Sequence, residues 1–214
     1  DIAYEDDDII VINKPFDMPA HPSAGNHDNT LANALMYYYG SQNKPFVYRC
    51  INRLDRDTTG LTIVAKHALA GGILGNAVAK RAIHRTYYAV CSGCTPAYMR
   101  ISAPIARKDA STIERCVDFK RGENAVTDFI RIKYNPDNNL SLVKLRLLTG
   151  RTHQIRVHMK YIGFPLIGDF LYNPDYTYIS RQALHSGRLV FTHPVTGQKM
   201  NLISDIPSDM KSLF

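Results

Sequence analysis

The hydrophobic period of the chain changes at Gly150, and this change is the sequence feature that most constrains the fold. Before it, apolar residues alternate with Lys144 and Arg146, which predicts a strand over 140–148 with one buried face and one wetter face. After it, apolar residues recur from Ile155 at helical spacing until a glycine and a proline end the segment. A strand therefore leads directly into a helix, which excludes all-α and all-β folds.

Short runs of β-branched and aromatic residues, each bounded by turn residues, predict the other strands. Two further stretches predict helices: one runs from Leu31 to Gly40 with Thr30 as its cap, and one covers 68–82 despite three internal glycines. The predicted strands are 8–12, 61–65, 87–91, 130–134, 140–148, 188–192 and 200–203. This order predicts a single α+β domain over residues 1–214, built on a mixed, largely antiparallel β-sheet flanked by helices and loops.

Charge is distributed unevenly along the chain. Residues 1–50 carry 3 basic and 7 acidic side chains, whereas residues 51–214 carry 23 basic and 12 acidic ones. Such an excess of positive charge is typical of a face that binds a polyanion, most often nucleic acid. The acidic N-terminal segment and the lack of an apolar run near 18 residues predict no membrane partner and a cytoplasmic location.

The four cysteines are too few for a disulfide scaffold. Cys91 and Cys94 form a C-x-x-C pair, which suits half a zinc site or a redox motif, but Cys50 and Cys116 supply no second half. We therefore expect ordinary reduced thiols and no metal.

The densest polar cluster covers residues 52–60 and includes Arg53, Asp55, Arg56 and Asp57. An ionised aspartate serves as a nucleophile or a base, and a buried one needs an arginine beside it to stay ionised. The alternative is a solvated turn whose charges pair locally, each pair contributing less than about 1 kcal/mol.

Two other clusters contain residue types that bind anions or bases. Arg151 lies at the strand-to-helix junction, where a helix N-terminus also favours a carboxylate or a phosphate. The spacing of Arg156 and Lys160 is most often that of a solvated helix face. Tyr87 either packs within the sheet or stacks on an RNA base. Tyr88, as its neighbour on a strand, has to face the other side.

Three motifs recur in order along the chain: Arg53-Leu54-Asp55 with Thr58-Thr59-Gly60, then Arg85-x-Tyr87-x-Ala89, then Thr149-Gly150-Arg151-Thr152-His153-Gln154-Ile155-Arg156-Val157-His158. Together they resemble the motifs of the RluA-type pseudouridine synthases. Asn13-Lys14-Pro15, His21-Pro22, Ala183-Leu184-His185 and His193-Pro194 extend the resemblance to nearly the whole chain. The sequence departs from the usual pattern at Asn52, Thr59 and Arg85, where histidine, serine and lysine are common.

The resemblance implies an isomerase that breaks the glycosidic bond of a uridine in RNA and rejoins the base through C5. It makes Asp55 the catalytic residue, either as nucleophile at the sugar or as base for its 2′ proton. Tyr87 then stacks on the base, and Arg53 fills the gap left by the flipped nucleotide. Arg151 best matches the arginine paired with the aspartate, with Arg156 as the weaker candidate.

We expect this reaction to need no cofactor, because it is a redox-neutral rearrangement. The expected partner is RNA, with ribosomal RNA favoured over transfer RNA, and the expected state is a monomer. Two alternatives remain open in the sequence. One is a noncatalytic RNA-binding module of the same fold. The other is a retaining glycosidase or a nucleoside-cleaving enzyme, in which Asp57 would have to act as the acid.

Overall fold

The computed structural model describes residues 1–23, 25–109 and 113–214. Within these ranges the helices are α1 (Leu31–Gly40), α2 (Ala68–Ala79), α3 (Gln154–Tyr161) and α4 (Ser208–Lys211). The strands are β1 (Ile2–Glu5), β2 (Ile9–Lys14), β3 (Arg49–Cys50), β4 (Thr59–Ala65), β5 (His84–Ser92), β6 (Tyr98–Ser102), β7 (Ile105–Arg107), β8 (Arg115–Val117), β9 (Val126–Asn135), β10 (Leu140–Leu147), β11 (Leu184–Thr192) and β12 (Lys199–Ile203). No helix among the described residues has both the length and the apolarity needed to cross a membrane.

The predicted α+β class is confirmed, since many paired strands accompany few helices. Each predicted strand corresponds to an observed one, and α1 has the predicted bounds, with the Thr30 side chain accepting a hydrogen bond from the Asn33 amide. The second helix ends at Ala79, three residues before its predicted end. Its cap is the His67 side chain, which accepts from the Ala70 amide.

The chain divides into two compact units. Unit 1 comprises residues 1–84 and 186–204, and unit 2 comprises residues 85–185 and 205–214. In unit 1 the strands lie in the order β1-β2-β4-β11-β12, and β3 also pairs with β4. The β1–β2, β2–β4, β3–β4 and β11–β12 pairs are antiparallel.

Strand β2 is buried on both faces. Ile9 and Val11 pack in the cluster that includes residues of α2, whereas Ile10 and Ile12 pack in the cluster that includes residues of α1. A strand covered on both sides has no wet face, so its sequence is a continuous apolar run rather than an alternating one.

Unit 2 contains an antiparallel sheet in the order β5-β10-β9-β6 and a separate β7–β8 hairpin. The predicted alternation of β10 is confirmed: Val143 and Leu145 are buried, while Lys144 and Arg146 are exposed. Val157 of α3 packs in the hydrophobic cluster of the β7–β8 region, and Met210 of α4 packs in a second cluster with residues of β5 and β10.

Gly60 at the start of β4 is a position that only glycine fits. Its φ is +104°, and a Cβ there would overlap the carbonyl oxygen of Ser186 and lie 2.8 Å from the Ser186 nitrogen. Gly72 in α2 is the opposite case, because a Cβ there meets nothing within 4 Å. We expect Gly60→Ala to lower the free energy of unfolding by at least about 2 kcal/mol, through strain and displacement of the backbone at Ser186.

Gly72→Ala is the matched control, and it should raise the free energy of unfolding by about 0.5–1 kcal/mol, because alanine favours the helix. Urea unfolding followed by circular dichroism measures both effects. A Gly60→Ala protein as stable as the parent chain would contradict the close approach of β4 and β11.

Candidate active site

The loop that carries Asp55 is tied to the end of β2 by a buried lysine. Lys14 is 1% exposed, and its Nζ donates to three backbone carbonyl oxygens: those of Pro15 at 2.7 Å, Met18 at 2.9 Å and Arg56 at 2.8 Å. An ammonium group has three donors, so these bonds use its full capacity. The Met18 amide adds a bond to the Arg56 carbonyl at 3.2 Å.

Asn52 fixes the other end of this loop against β4. Its side-chain amide donates to the Leu61 carbonyl at 3.2 Å and accepts from the Ile63 amide at 2.8 Å, so it pairs with β4 as a neighbouring strand would. The Thr62 hydroxyl donates to the Asn52 carbonyl at 2.7 Å. The asparagine that departs from the usual family pattern is therefore a structural residue here.

Arg53 and Asp55 flank the buried Leu54 in the anchored loop. Arg53 is exposed and Asp55 is half-buried. The Thr58 amide donates to the Asp55 carbonyl at 3.1 Å, which closes a turn. Arg53 also acts on His21, whose pKa is lowered by burial and by the positive charge of Arg53. The loop thus presents a cation and a carboxylate two residues apart.

The solvated-turn alternative predicts ion pairs between neighbouring residues of this loop, and Asp57 forms such a pair with Arg56. Arg56 donates to the Asp57 carboxylate through Nε, at 3.2 and 3.3 Å, and through Nη2, at 3.1 Å. Asp57 itself is buried. A retaining glycosidase would need this group as its acid, but it is held as the acceptor of an arginine.

Tyr87 in unit 2 lies on the buried face of the β5–β10 pair. It is 4% exposed and lies opposite Leu145, whereas Tyr88 lies opposite the exposed Lys144. The two neighbouring tyrosines therefore face opposite sides of the sheet, as the strand geometry requires.

Arg151 is partly exposed and bound to its own unit. Its guanidinium forms an ion pair with the exposed Glu123, and its Nε donates to the Asn124 carbonyl at 3.1 Å. Its backbone amide donates to the Gln154 side chain at 2.9 Å.

Arg156, by contrast, is buried in a bidentate ion pair. It is 2% exposed, and its Nε and Nη2 each lie 2.7 Å from an oxygen of Asp169, which is 0% exposed. The guanidinium carbon lies 5.3 Å from the Phe170 ring centroid and 5.0 Å from that of Tyr172. The prediction that Arg156 lies on a solvated helix face is therefore wrong. The ion pair with Asp169 compensates for burial of the guanidinium charge.

A chain of buried hydrogen bonds holds the N-terminal half of α3 to β9. The Gln154 side chain accepts from the Thr149 hydroxyl at 2.8 Å and donates to the Thr127 hydroxyl oxygen at 3.0 Å. The two nitrogens of His158 lie 2.9 Å from that hydroxyl and 2.8 Å from the Ala103 carbonyl. Burial lowers the pKa of His158, and the bond to Ala103 opposes this effect.

The direction of every bond in this chain follows from the Ala103 carbonyl, which only accepts. The Nε2–H of neutral His158 must donate to it, so Nδ1 accepts from the Thr127 hydroxyl. That hydroxyl in turn accepts from Gln154. The donor and the acceptor of each bond are then fixed, and the motif residues Gln154 and His158 are structural supports.

His153 occupies the left-handed region at φ 55°, an unusual conformation for a residue other than glycine. Its Nδ1 lies 2.9 Å from the Tyr172 hydroxyl, which also accepts from the Arg115 amide at 2.9 Å. Burial raises the pKa of Tyr172 to about 12, so the hydroxyl keeps its proton.

One group of side chains in the described ranges has ligand atoms close enough for a metal ion: Asp6, Asp8 and His193. His193 Nδ1 accepts from the amides of Val195, at 3.3 Å, and Thr196, at 3.1 Å. The proton of a neutral ring then resides on Nε2, the nitrogen that faces the carboxylates. Nε2 lies 2.8 Å from an Asp6 oxygen, and a nitrogen that carries a proton cannot ligate a metal, so this tautomer suits a structural contact with the carboxylates better than a metal site.

Comparisons with known proteins agree with the motifs. The family model described as RNA pseudouridylate synthase matches residues 8–161. The chain is 39% identical over 214 residues to the uncharacterized RNA pseudouridine synthase YhcT of Bacillus subtilis, with all of this chain and 70% of that protein covered. It is 38% identical over 231 residues to the ribosomal large subunit pseudouridine synthase D of Zymomonas mobilis, with all of this chain and 71% of that protein covered.

Among solved structures, human RNA pseudouridylate synthase domain containing 1 matches with a TM-score of 0.79 and 26% identity, covering 95% of this chain and 82% of that one. The chain therefore belongs to the RNA pseudouridylate synthase family, whose reaction is the isomerisation of uridine in RNA to pseudouridine.

Sequence reasoning identified the loop that carries Arg53 and Asp55, but it assigned no role to Lys14. A lysine that directly continues the buried run of β2 was the available signal, because such a position excludes a solvated side chain. Asp169, the partner of Arg156, carries no comparable signal, since it lies outside the three motifs.

We predict that Lys14→Met weakens both stability and activity. The substitution keeps the apolar stem but removes the donors to three carbonyl groups, so the free energy of unfolding should fall by about 1–3 kcal/mol. Release of the Arg56 carbonyl should also loosen the Asp55 loop and lower the rate of pseudouridine formation. Lys44→Met, at an exposed loop position, is the control and should stay within about 0.5 kcal/mol of the parent.

We predict a loss of stability at mildly acidic pH that depends on His158. Its pKa is lowered in the folded state, so the unfolded chain binds more protons as the pH falls through the ordinary value of 6.5. The free energy of unfolding should then decrease by up to about 1.4 kcal/mol per pH unit. His158→Asn should be less stable at pH 7.5 but lose less than the parent between pH 7.5 and about 5.5, as denaturant unfolding at both pH values would show.

His84→Asn, at an exposed position, is the matched control and should keep the pH dependence of the parent. An equal loss of stability in the His158→Asn protein and the parent chain would contradict a buried neutral imidazole.

Proposed function

We propose that this chain isomerises particular uridines of ribosomal RNA, with Asp55 as its catalytic residue. The N1–C1′ bond of the nucleotide breaks and a C5–C1′ bond forms, while C5 loses a proton and N1 gains one. No electrons leave or enter, so a carboxylate and a shaped site are sufficient. The observation that carries this proposal is that the loop of Asp55 is anchored on both sides of this residue.

Two buried polar residues support this role for Asp55. Lys14 holds the Arg56 carbonyl, and Asn52 pairs with β4 three residues before Asp55. A reacting carboxylate gains from such a rigid support, because a displacement of about 1 Å can cost about 100-fold in rate. Asp55 is also only half-buried, which leaves its carboxylate near the surface where RNA arrives.

We propose that Arg53 and Tyr87 stabilise the flipped state of the target nucleotide. A uridine has to leave its stack before it can react, at a cost of a few kcal/mol. Arg53 is exposed next to Asp55, which suits insertion into the gap that the base leaves. Tyr87 offers an aromatic ring, and stacking of one base contributes about 1–3 kcal/mol.

The two arginines of the third motif stay candidates for the partner of Asp55, and their surroundings suit different roles. Arg151 pairs with an exposed glutamate, and such a pair contributes less than about 1 kcal/mol, so it exchanges readily for a phosphate or another carboxylate. Arg156 is oriented by a buried carboxylate, which makes it a rigid cation suited to holding an anion in fixed geometry.

The choice of RNA is supported by relatives such as that of Zymomonas mobilis, which are named for the large ribosomal subunit. Transfer RNA is the alternative substrate. We further propose a monomeric enzyme in the cytoplasm, where ribosomal RNA is modified, with residues 1–214 acting as one catalytic domain.

Release of tritium from RNA that carries 5-tritiated uridine tests the proposal, because formation of pseudouridine displaces that label. We expect the parent chain to release tritium from a ribosomal RNA transcript. The amount released per transcript should correspond to a few specific uridines and not to all of them. Asp55→Asn should lower the rate at least about 100-fold, since it removes the nucleophile or base but keeps the size of the side chain.

Asp17→Asn is the control, because Asp17 is an exposed carboxylate near Arg56 in the same region. It should leave the rate within about twofold. Release by the Asp55→Asn protein at the parent rate would refute the catalytic assignment, and release from transfer RNA alone would refute the choice of substrate.

A further inference from the structure

The outer face of the unit 2 sheet is open over β6, β9 and the end of β10 that carries Lys144 and Arg146. The rest of this face, at Tyr88 and Leu142, packs in the cluster of α4. No part of the proposed mechanism uses the open region. Strand register places Tyr98, Ile130 and Lys144 directly opposite one another across β6, β9 and β10. The next row, two residues along, contains Arg100, Asp128 and Arg146. These six residues are called the outer patch below.

The outer patch lies on the side of the sheet opposite to Tyr87. Tyr87 shares its face with Leu145 and Phe129, which are 0% and 1% exposed. Tyr98 and Ile130 lie on the opposite face, and they are 57% and 54% exposed. The patch therefore combines an aromatic ring and an aliphatic side chain in the open, on a sheet whose other face is buried.

The charges of the outer patch are positive and only partly neutralised. Arg100 donates to both oxygens of Asp128, at 2.6 and 2.8 Å, and these bonds lower the pKa of the carboxyl. Lys144 and Arg146 are exposed, and neither forms an ion pair with any residue in the described ranges. Lys144 thus lies in the apolar row without a carboxylate of its own, while Arg146 shares Asp128 with Arg100, because its charge also lowers the pKa of that carboxyl.

We propose that the outer patch binds a single-stranded RNA segment. A base stacks on Tyr98 with Ile130 as an apolar neighbour, and phosphates of the same strand contact Lys144 and Arg146. Adjacent strands lie about 4.8 Å apart, so Tyr98 and Lys144 are separated by roughly 10 Å across the sheet. This span suits one or two nucleotides of an extended strand.

The chemistry of the patch favours RNA over a second copy of the chain. An exposed aromatic ring on a surface that also carries an exposed lysine and arginine suits single-stranded nucleic acid, because every base has a face for stacking and every nucleotide has a charge. A twofold contact between copies would bring Lys144 and Arg146 of both chains onto one surface, where like charges oppose association.

This inference rests on the proposed function only in that RNA is the partner, and it adds a second binding surface away from the reacting base. The patch would hold RNA that flanks the target uridine. It should therefore affect affinity for RNA without affecting the chemical step.

Fluorescence anisotropy with a fluorescein-labelled 20-nucleotide oligouridine tests the proposal over a series of salt concentrations. Tyr98→Ala should weaken binding about tenfold, through loss of one stacked base. The double variant Lys144→Gln, Arg146→Gln should reduce the slope of log affinity against log salt by about 1.4, as expected for two lost phosphate contacts on a single strand.

Tyr37→Ala and Lys80→Gln are the matched controls, since both residues are exposed on unit 1. They should change neither the affinity nor the salt slope. All variants should keep the parent melting temperature and the maximal rate of tritium release at saturating RNA, which separates the patch from the catalytic loop.

Unchanged affinity and salt slope in the outer-patch variants would overturn the proposal, as would equal losses in the controls. A dimer of the parent chain that Tyr98→Ala dissociates in sedimentation experiments, with RNA affinity unchanged, would assign the patch to self-association instead. A parent chain that binds oligouridine through the patch but releases no tritium would refute the proposed function alone.

Discussion

Lys14 connects the hydrophobic core of unit 1 to the loop that carries Asp55. Strand β2 is buried on both faces, so a charged side chain that continues it has to find partners inside the protein. The lysine finds three carbonyl oxygens in two loops, and its amine thereby fixes the segment after β2 and the loop of Asp55 relative to each other. A well-packed strand and a reactive loop thus become one rigid element, and every property argued for Asp55 depends on that element.

Unit 2 solves the same problem with hydrogen bonds instead of a charge. Gln154, Thr127 and His158 form a directional chain that ends at the Ala103 carbonyl and fixes α3 on β9. Buried networks of this kind stabilise a structure when every member is satisfied and destabilise it when one is not. Gln154 and His158 of the third motif thus fix the helix that carries Arg156.

The sequence alone was sufficient for the elements whose side chains follow a period. It predicted the buried strand β2, the helix α1 with its Thr30 cap and the passage from β10 to α3. It did not predict β1, β3, β6, β7, β8 or α4, which are two to five residues long. Short strands owe their position to backbone pairing with a neighbour, and backbone pairing leaves no pattern in the side chains.

The candidate site divides in the same way. Asp55, Arg53, Tyr87 and the two arginines of the third motif were singled out, whereas the residues that hold them in place were not. Arg156 is the clearest case: its spacing on α3 suits a solvated face, and only Asp169, thirteen residues later, makes burial possible. A pair of this kind is visible in three dimensions only, because neither residue alone departs from what a surface position would contain.

Tyr87 and Tyr88 illustrate how much function one strand can divide between its two faces. Because side chains alternate, the residue proposed to stack on the target base cannot share a surface with Lys144, and the outer patch is necessarily separate from the reacting nucleotide. A strand covered on both sides, such as β2, has no such freedom. The open part of the outer face, over β6, β9 and the end of β10, is thus a surface on which charge and aromatic residues can change without disturbing the buried face. This independence makes a second RNA contact there physically possible.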